Sequence, residues 1–279
     1  MDTVKGREKG REYNKKTSFR DRAEREEKTE EKNSDLIIGR NAVSEALRSE
    51  RVIDTLLVAR GERNGSIGRI MAECKEKNIV IKEVDKRKLD FLCGQGNHQG
   101  VAAYAAAHEY ADVEDIFSLA EERQEDPFII ICDEIEDPHN LGAIIRTAET
   151  AGAHGIIIPK RRNASLSYAV GKTSAGAVEY VPDARVGNLA STIDELKKRG
   201  LWIYTADMDG QNWCETDFSG PVALVVGSEG NGVSRLIREK SDFIVSLPMR
   251  GRITSLNASV ASGILMYEVA RQRLKIKAK

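Results

Sequence analysis

Short apolar runs alternate with segments of helical spacing in two separate stretches of the chain. In the first stretch, residues 36–108, runs of branched and small apolar residues predict strands, and apolar positions three and four apart predict helices. This alternation predicts a small α/β domain. The predicted strands are Thr55–Ala59, Ile79–Val84 and Val101–Ala107, and the predicted helices are Asn41–Glu50, Ser66–Asn78 (with Ser66 as N-cap) and Lys86–Leu92.

A second, longer alternation runs from residue 127 to the C-terminus. Uninterrupted apolar runs such as Phe128-Ile129-Ile130-Ile131 indicate strands buried on both faces, and hence a mostly parallel sheet covered by helices. The predicted strands are Phe128–Cys132, Gly155–Ile158, Glu179–Val181, Leu201–Thr205, Val222–Val226 and Phe243–Leu247. The predicted helices are Leu141–Ala151, Leu189–Lys198, Val233–Glu239 and a last one from Leu256 onward.

Charged segments lie on both sides of the first domain. Residues 1–34 hold 11 Lys/Arg and 9 Asp/Glu with almost no large apolar residue, so we expect disorder. This tail is either a solubilising segment or an arm that contacts RNA. Residues 109–126 are acidic with one apolar stripe, which predicts a helical linker or an edge helix of the first domain.

Composition narrows the class of protein. The 279 residues, 41% of them hydrophobic, allow two packed domains. No apolar stretch approaches the roughly 18–20 residues of a membrane helix, and the charged N-terminus lacks the apolar core of a secretory signal. The four cysteines are scattered without a C-x-x-C pair, and the four histidines show no metal-ligand spacing. We therefore expect a cytoplasmic protein with no membrane partner and no metal.

Proteins that bind nucleic acids usually carry a basic excess, so the net charge of −1 by itself counts against such a partner. We treat it as neutral evidence for the following reason. Net charge averages over faces, however, and basic residues cluster locally. A local cluster can bind phosphate while acidic helices elsewhere balance the sum. The clusters are Lys160-Arg161-Arg162, Arg250 with Arg252, and the C-terminal series Arg271, Arg273, Lys275, Lys277 and Lys279.

Three motifs in the second domain carry the candidate chemistry. Each consists of a strand end or loop of polar and Gly residues and the first turn of a helix, the arrangement that builds ligand sites in α/β sheets. They are Asp137-Pro138-His139-Asn140-Leu141-Gly142 running to Arg146-Thr147-Ala148, then Val226-Gly227-Ser228-Glu229-Gly230-Asn231-Gly232-Val233, then Leu247-Pro248-Met249 with Ser255-Leu256-Asn257-Ala258-Ser259-Val260-Ala261.

Together these motifs resemble the signatures of the SpoU (TrmH) family of RNA ribose 2′-O-methyltransferases, within the knotted SPOUT superfamily. The resemblance implies an S-adenosylmethionine-dependent enzyme whose C-terminal domain, residues 127–279, forms a trefoil knot. Ile38–Val43 and His98–Val101 resemble the L30e-like substrate-binding domain of that family, placed here at 35–108 before a linker at 109–126. The expected fold is therefore α/β, an L30e-like domain followed by a knotted methyltransferase domain.

The resemblance also assigns site residues. It implies a catalytic set of Arg146, Asn140, Glu229, Ser255 and Asn257, and a cofactor set of Gly227, Leu247, Leu256, Met249 and Gly251. It implies RNA contacts from Arg40, Asn41, His98 and Gln99, together with Arg146. Because a guanidinium is a poor base, phosphate binding suits Arg146 better than proton removal.

Purely structural roles for these residues also stay open. Asn140 and Asn257 are also suited to cap helices, with Asn140 expected at an N-cap. Glu229 is also suited to hold its own loop, and the glycines at 227, 230, 232 and 251 to form tight turns. Small departures from the family pattern, Ala258 and the pair Ile253-Thr254, remove none of the proposed catalytic side chains.

Within the family, the chain is most similar to the RlmB-type branch, which implies a homodimer that methylates a guanosine ribose in the peptidyl-transferase loop of 23S rRNA. Two alternatives are a tRNA ribose 2′-O-methyltransferase and a catalytically inactive RNA-binding homologue. A nucleotide-dependent oxidoreductase is rejected, because residues 133–138 after the first strand of the large domain lack G-x-G-x-x-G.

Overall fold

The structure is a computed structural model that describes residues 36–49, 52–63, 65–94 and 96–276. The chain divides into two compact units between Ala105 and Ala106, and each is described by itself. The charged segment 1–34 and the last basic residues, Lys277 and Lys279, lie outside the described residues.

The smaller unit is a four-stranded mixed sheet with three helices. Its strand order is β1-β4-β2-β3, with β2 and β3 parallel and β4 antiparallel to both β1 and β2. The strands are β1 Leu36–Ile38, β2 Ile53–Ala59, β3 Val80–Val84 and β4 Val101–Ala105. The helices are α1 Arg40–Arg48, α2 Ser66–Glu76 and α3 Lys86–Cys93.

Helix α2 starts differently from the sequence prediction. Ser66 is its first helical residue, and the N-cap is Gly65, whose positive φ of 64° is easily reached without a Cβ. The predicted Ser66 cap is therefore wrong. Helix α3 has a side-chain cap instead, because Asp85 accepts a 2.9 Å hydrogen bond from the backbone N–H of Arg87.

The larger unit is a six-stranded, all-parallel sheet in the order β10-β8-β9-β5-β6-β7. Its strands are β5 Phe128–Asp133, β6 Gly155–Pro159, β7 Asp183–Val186, β8 Trp202–Asn212, β9 Val222–Gly227 and β10 Phe243–Ser246. Its helices are α4 Val113–Arg123, α5 Pro138–Thr150, α6 Tyr168–Thr173, α7 Leu189–Lys198, α8 Arg235–Lys240 and α9 Ala258–Arg273.

Apolar side chains cover both faces of this sheet. On central strand β5, Phe128 and Ile130 belong to one core, which also contains Leu265 of α9. Ile129 and Ile131 belong to the other core, which also contains Ile193 of α7. All four β5 side chains are fully buried, so the prediction of a parallel sheet buried on both faces is confirmed.

Three segments of the larger unit differ from the sequence prediction. The predicted strand Glu179–Val181 is instead the end of a 3₁₀ turn, Ala177–Glu179, and the strand begins four residues later at Asp183. Helix α6 was not predicted, because its six residues are too short for a periodic signal. The 109–126 segment contains α4, which is not an edge helix of the smaller unit: its Ile116 packs closely against Gly155 of β6.

The parallel arrangement places the carboxyl ends of all six strands at one edge of the sheet, where the loops that follow β10, β8, β9, β5 and β6 lie in that order. No helix in the described part of the chain is long and apolar enough to cross a membrane. The trefoil knot implied by the family resemblance stays a prediction.

Candidate active site

The three sequence motifs meet through one hydrogen-bond network at the carboxyl edge of the sheet. The side-chain amide of Asn140 donates to Oε1 of Glu229 at 3.0 Å. The amide of Asn257 donates to Oδ1 of Asn140 at 2.9 Å and also to Oε1 of Glu229. One residue from each motif loop therefore fixes the position of the other two.

Asn140 reaches this network from inside helix α5. The N-cap of α5 is Asp137, whose carboxylate accepts a 2.9 Å hydrogen bond from the N–H of His139, and Pro138 occupies the first helical position. The predicted N-cap role of Asn140 is therefore wrong. Asn140 lies in the first turn, only 8% exposed, and both atoms of its amide group are used in the network.

Asn257 combines a capping role with the network. Its Oδ1 accepts hydrogen bonds from the N–H groups of Ser259 at 3.0 Å and Val260 at 3.3 Å, which caps helix α9. Its amide nitrogen is left for Asn140 and Glu229. The two roles considered from the sequence are thus compatible, since each uses a different atom of one side chain.

A cleft of about 310 Å³ lies beside the network, between the ends of β8, β9 and β10 and the start of α9. Its walls are mainly apolar, with Glu229, Ser255 and Thr254 among the polar groups. Four of the five predicted cofactor residues line it, namely Gly227, Leu247, Met249 and Leu256. The fifth, Gly251, does not line the cleft.

The glycines of the second motif shape the loop itself. A Cβ at Gly227 would overlap the backbone of Gly232 and Val233, and Gly232 has a positive φ of 66°. Ser228 and Gly232 exchange two backbone hydrogen bonds, of 3.1 and 2.9 Å, which close the loop. Gly230 has open space around it. Tight-turn geometry therefore explains Gly227 and Gly232, and the closed loop holds Glu229 at the cleft.

The loop 247–256 offers backbone groups to a ligand. Among the described residues, none of its N–H or C=O groups takes part in a backbone hydrogen bond. Unpaired backbone groups beside apolar side chains such as Leu247 and Leu256 suit a flat heteroaromatic ring, which needs apolar contact on its faces and hydrogen bonds at its edges.

Arg146 lies on α5, six residues after Asn140, and its side chain is exposed. It forms no ion pair or hydrogen bond through its side chain with any residue that the structure describes. It does not line the cleft. A guanidinium left without a counter-ion is available to an anionic ligand, because its five donors match phosphate oxygens.

Three of the four predicted RNA contacts of the smaller unit, Arg40, His98 and Gln99, line a separate cleft of about 660 Å³, and Asn41 does not. Arg40 donates through Nε to the carbonyl oxygen of Gln99 at 2.9 Å, so the two motifs of that unit are joined. His98 is only 7% exposed: its Nδ1 accepts from the N–H of Gly100, and its Nε2 contacts Asp90 at 2.8 Å. His98 therefore shapes the cleft wall, whereas Asn41 and Gln99 are exposed.

Sequence reasoning missed two parts of the site. Asp207 and Met208 line the cleft because β8 continues to Asn212, well past the predicted end at Thr205. Asp133, at the end of β5, accepts a 2.7 Å hydrogen bond from the N–H of Ser234 and thereby fixes the start of α8. The polar residues in the second half of β8 have no apolar pattern that predicts a strand. Asp133 could have been singled out, because a polar residue at the end of a buried strand is a candidate for a site, but the sequence analysis gave it no role.

Family models match both units. Residues 127–267 match the SpoU rRNA Methylase family, and residues 36–111 match the domain described as RNA 2′-O ribose methyltransferase substrate binding. YacO of Bacillus subtilis, named for the TrmH family of tRNA/rRNA methyltransferases, is 50% identical over 86% of this chain and 96% of its own length. A Staphylococcus aureus relative assigned to the same family is 46% identical over 85% of this chain and 96% of its own length.

Solved structures agree with this assignment. The SpoU methyltransferase AviRb from Streptomyces viridochromogenes, in complex with AdoMet, is 26% identical with a TM-score of 0.55, over 86% of this chain and 90% of that one. An AdoMet-bound rRNA methyltransferase from Sinorhizobium meliloti is also 26% identical, with a TM-score of 0.53, over 86% and 87%. The fold and the site define an enzyme of the RNA methyltransferase class. The chain belongs to the SpoU (TrmH) family.

Proposed function

We propose that this protein uses S-adenosylmethionine to methylate the 2′-hydroxyl of a guanosine ribose in the peptidyl-transferase loop of 23S rRNA, in the cytoplasm. The observation that carries the proposal is the Asn140–Glu229–Asn257 network, which joins the three family motifs beside a cleft of suitable size. The two AdoMet-bound relatives support the choice of donor.

The residues around the cleft fit the donor. Leu247, Met249 and Leu256 supply apolar surface for the adenine ring, and the unpaired backbone of 247–256 supplies hydrogen-bond donors and acceptors for its edges. Ser255 and Glu229 are placed for the polar parts of the molecule. No group of three or more His, Cys, Asp or Glu in the described part of the chain is arranged to hold a metal ion.

When bound, the donor supplies a methyl group on a sulfonium, which leaves as a neutral thioether after the ribose oxygen attacks the methyl carbon. The chain's own task is to position the hydroxyl and stabilise the loss of its proton, and positioning alone can lower the barrier by several kcal/mol. The network fixes the loops on which that geometry depends. Arg146 holds a phosphate of the target strand, because its guanidinium stays charged at every relevant pH.

The alternatives differ in a measurable way. A tRNA target would keep the chemistry and change the substrate, and the relatives' names include both tRNA and rRNA. An inactive RNA-binding homologue would lack some of the polar residues at the motifs, whereas here Asn140, Arg146, Glu229, Ser255 and Asn257 are all present. The match of residues 36–111 to an RNA 2′-O ribose methyltransferase substrate-binding domain supports an RNA substrate in both cases.

The deciding experiment is transfer of labelled methyl from S-adenosylmethionine to separate 23S, 16S and tRNA transcripts. We expect label on 23S rRNA, with the modified ribose located by its resistance to alkaline cleavage at a guanosine. Label on tRNA alone would replace the rRNA assignment. Donor binding without transfer to any of these RNAs would contradict the proposed activity on naked RNA.

We also propose that the enzyme is a homodimer. Helix α9 and its C-cap residue carry an exposed apolar stripe at a spacing of seven residues, formed by Val260, Tyr267 and Leu274, which are 50%, 52% and 70% exposed. The stripe continues into a groove of about 1030 Å³ that Ile276 and Trp213 also line. Contiguous exposed apolar surface of this kind is typical of an interface.

Light scattering after size-exclusion chromatography should give twice the chain mass of 30.9 kDa. Tyr267→Asp should give a monomer, because it buries a charge in the proposed interface. Tyr180→Asp is the matched control, since Tyr180 directly follows the Ala177–Glu179 turn and is 72% exposed, and this variant should stay dimeric. A wild-type protein that is both monomeric and active would rule out this arrangement.

A further inference from the structure

A second cavity adjoins the proposed donor cleft. It measures about 310 Å³, and the two cavities share one wall, formed by residues 228–231 and Ala258. The other wall is the loop after β5, lined by Glu134, Ile135, Glu136 and Asp137, with Asn140 beside them. A group held in this cavity would therefore lie beside the donor cleft, at the residues that line both cavities.

The loop after β6 is fastened to the wall of this cavity. The N–H of Ile135 donates to Oδ1 of Asn163 at 2.8 Å, and the N–H of Ala164 donates to the carbonyl of Ile135 at 2.7 Å. Arg162 pairs with Glu134 at 3.0 Å. Because backbone and side-chain bonds act together, residues 162–164 are held against 134–135, and Lys160 and Arg161 lie on the same loop just before them.

Opposite charges are separated across these two loops. Arg161 is exposed and Lys160 half-buried, and neither forms an ion pair with a residue that the structure describes. On the cavity side, Asp137 caps α5 and Glu229 belongs to the network. Within the described part of the chain, Glu136 is the carboxylate of this wall that accepts no hydrogen bond.

This separation selects which part of a nucleotide goes where. Phosphates are repelled by a cavity lined with carboxylates and attracted to unpaired cations. The uncharged base can enter the cavity, where a carboxylate accepts hydrogen bonds from base N–H groups. Guanine offers two adjacent donors, N1–H and the N2 amino group, on its Watson–Crick edge, the edge that proteins read on splayed-out RNA bases.

The geometry points to this pair of loops as the acceptor-nucleotide site: the cavity holds the target base with Glu136 on its Watson–Crick edge, and Lys160 and Arg161 hold the neighbouring phosphates. The ribose then lies at the shared wall, facing the donor cleft. The inference rests on the proposed function and specifies how that site selects guanosine.

The role of Glu136 is tested with two versions of the 23S rRNA transcript, one carrying guanosine and one inosine at the mapped position. Inosine lacks only the N2 amino group. The wild-type enzyme should prefer guanosine by tenfold or more in kcat/KM, and Glu136→Gln should lose most of that preference. Glu122→Gln, an exposed carboxylate of α4, is the matched control.

The role of the cations is tested by the salt dependence of binding to the same transcript. Lys160→Gln and Arg161→Gln should each raise KM several-fold with little change in kcat, and each should reduce the slope of log Kd against log salt by about 0.7–0.9. Lys198→Gln removes an exposed charge at the end of α7 and should leave the slope unchanged. S-adenosylmethionine affinity should stay within twofold in every variant.

The outcomes separate this inference from the proposed function. If the wild-type enzyme methylates the transcript while Glu136→Gln keeps the guanosine preference, the base is not read by this carboxylate. If the Lys160→Gln, Arg161→Gln double variant keeps the wild-type slope of log Kd against log salt, these two residues do not contact phosphates. A wild-type enzyme that methylates no RNA would remove the proposed function, and this acceptor site with it.

Discussion

Gly227→Ala is expected to abolish S-adenosylmethionine binding and methyl transfer while leaving the protein folded. The Cβ of alanine would overlap the backbone of Gly232 and Val233, and backbone cannot move aside as the end of a flexible side chain can. The two hydrogen bonds between Ser228 and Gly232 would have to break. Glu229 would then leave its place between Asn140 and Asn257, and the wall of the donor cleft would open.

Isothermal titration calorimetry of the donor measures this effect, with circular dichroism to show that the fold persists. We expect affinity to fall at least a hundredfold, because both the cleft wall and the network are lost. Gly230→Ala is the matched control in the same loop, since a Cβ there meets no atom within 4 Å. Equal donor affinity of Gly227→Ala and the wild type would show that this loop does not form the donor site.

The elements of the fold were largely predictable because buried strands and helices leave recognisable apolar patterns in the sequence. The run Phe128–Ile131 is apolar without interruption and proved to be a central strand with both faces covered. The strand prediction around Glu179 was wrong because a stretch this short is compatible with either a strand or a tight turn, and only packing decides between them. The second half of β8 was not predicted for the opposite reason. Its polar residues pair with β10 through backbone hydrogen bonds, and they show no apolar pattern that would indicate a strand.

The site was predictable as a set of residues but not as a geometry. The motifs identified Asn140, Glu229 and Asn257, yet they are separated by 89 and 28 residues in the chain, and no local pattern indicates that their side chains touch. The fold brings them together because each follows a strand or starts a helix at the same edge of a parallel sheet. Local capping rules misplaced Asn140 because Asp137, three residues earlier, takes the cap.

Net charge was the least informative sequence feature for the same reason. A sum of −1 conceals an acidic cavity and two unpaired cations on loops that are bonded to each other. Separation of charge depends on which loops lie side by side, and that is a property of the strand order β5-β6. In the acceptor site proposed above, recognition of an RNA strand, with its neutral bases and charged phosphates, depends on this separation and not on the total.

Arg146→Ala is expected to reduce kcat/KM for methyl transfer by about 10²-fold, because a target strand without this phosphate contact is misplaced, while donor affinity stays within twofold. The side chain is exposed, pairs with no residue that the structure describes and does not line the cleft, so neither the fold nor the donor depends on it. Its loss should therefore affect only the bound RNA. Arg146→Lys should recover little, because an ammonium lacks the planar pair of donors that fits a phosphate.

Single-turnover transfer to the 23S transcript measures the effect, and Lys198→Ala controls for the loss of one positive charge. Near-normal transfer by Arg146→Ala would show that the target strand is held elsewhere, with the cations of the β6 loop as the next residues to replace.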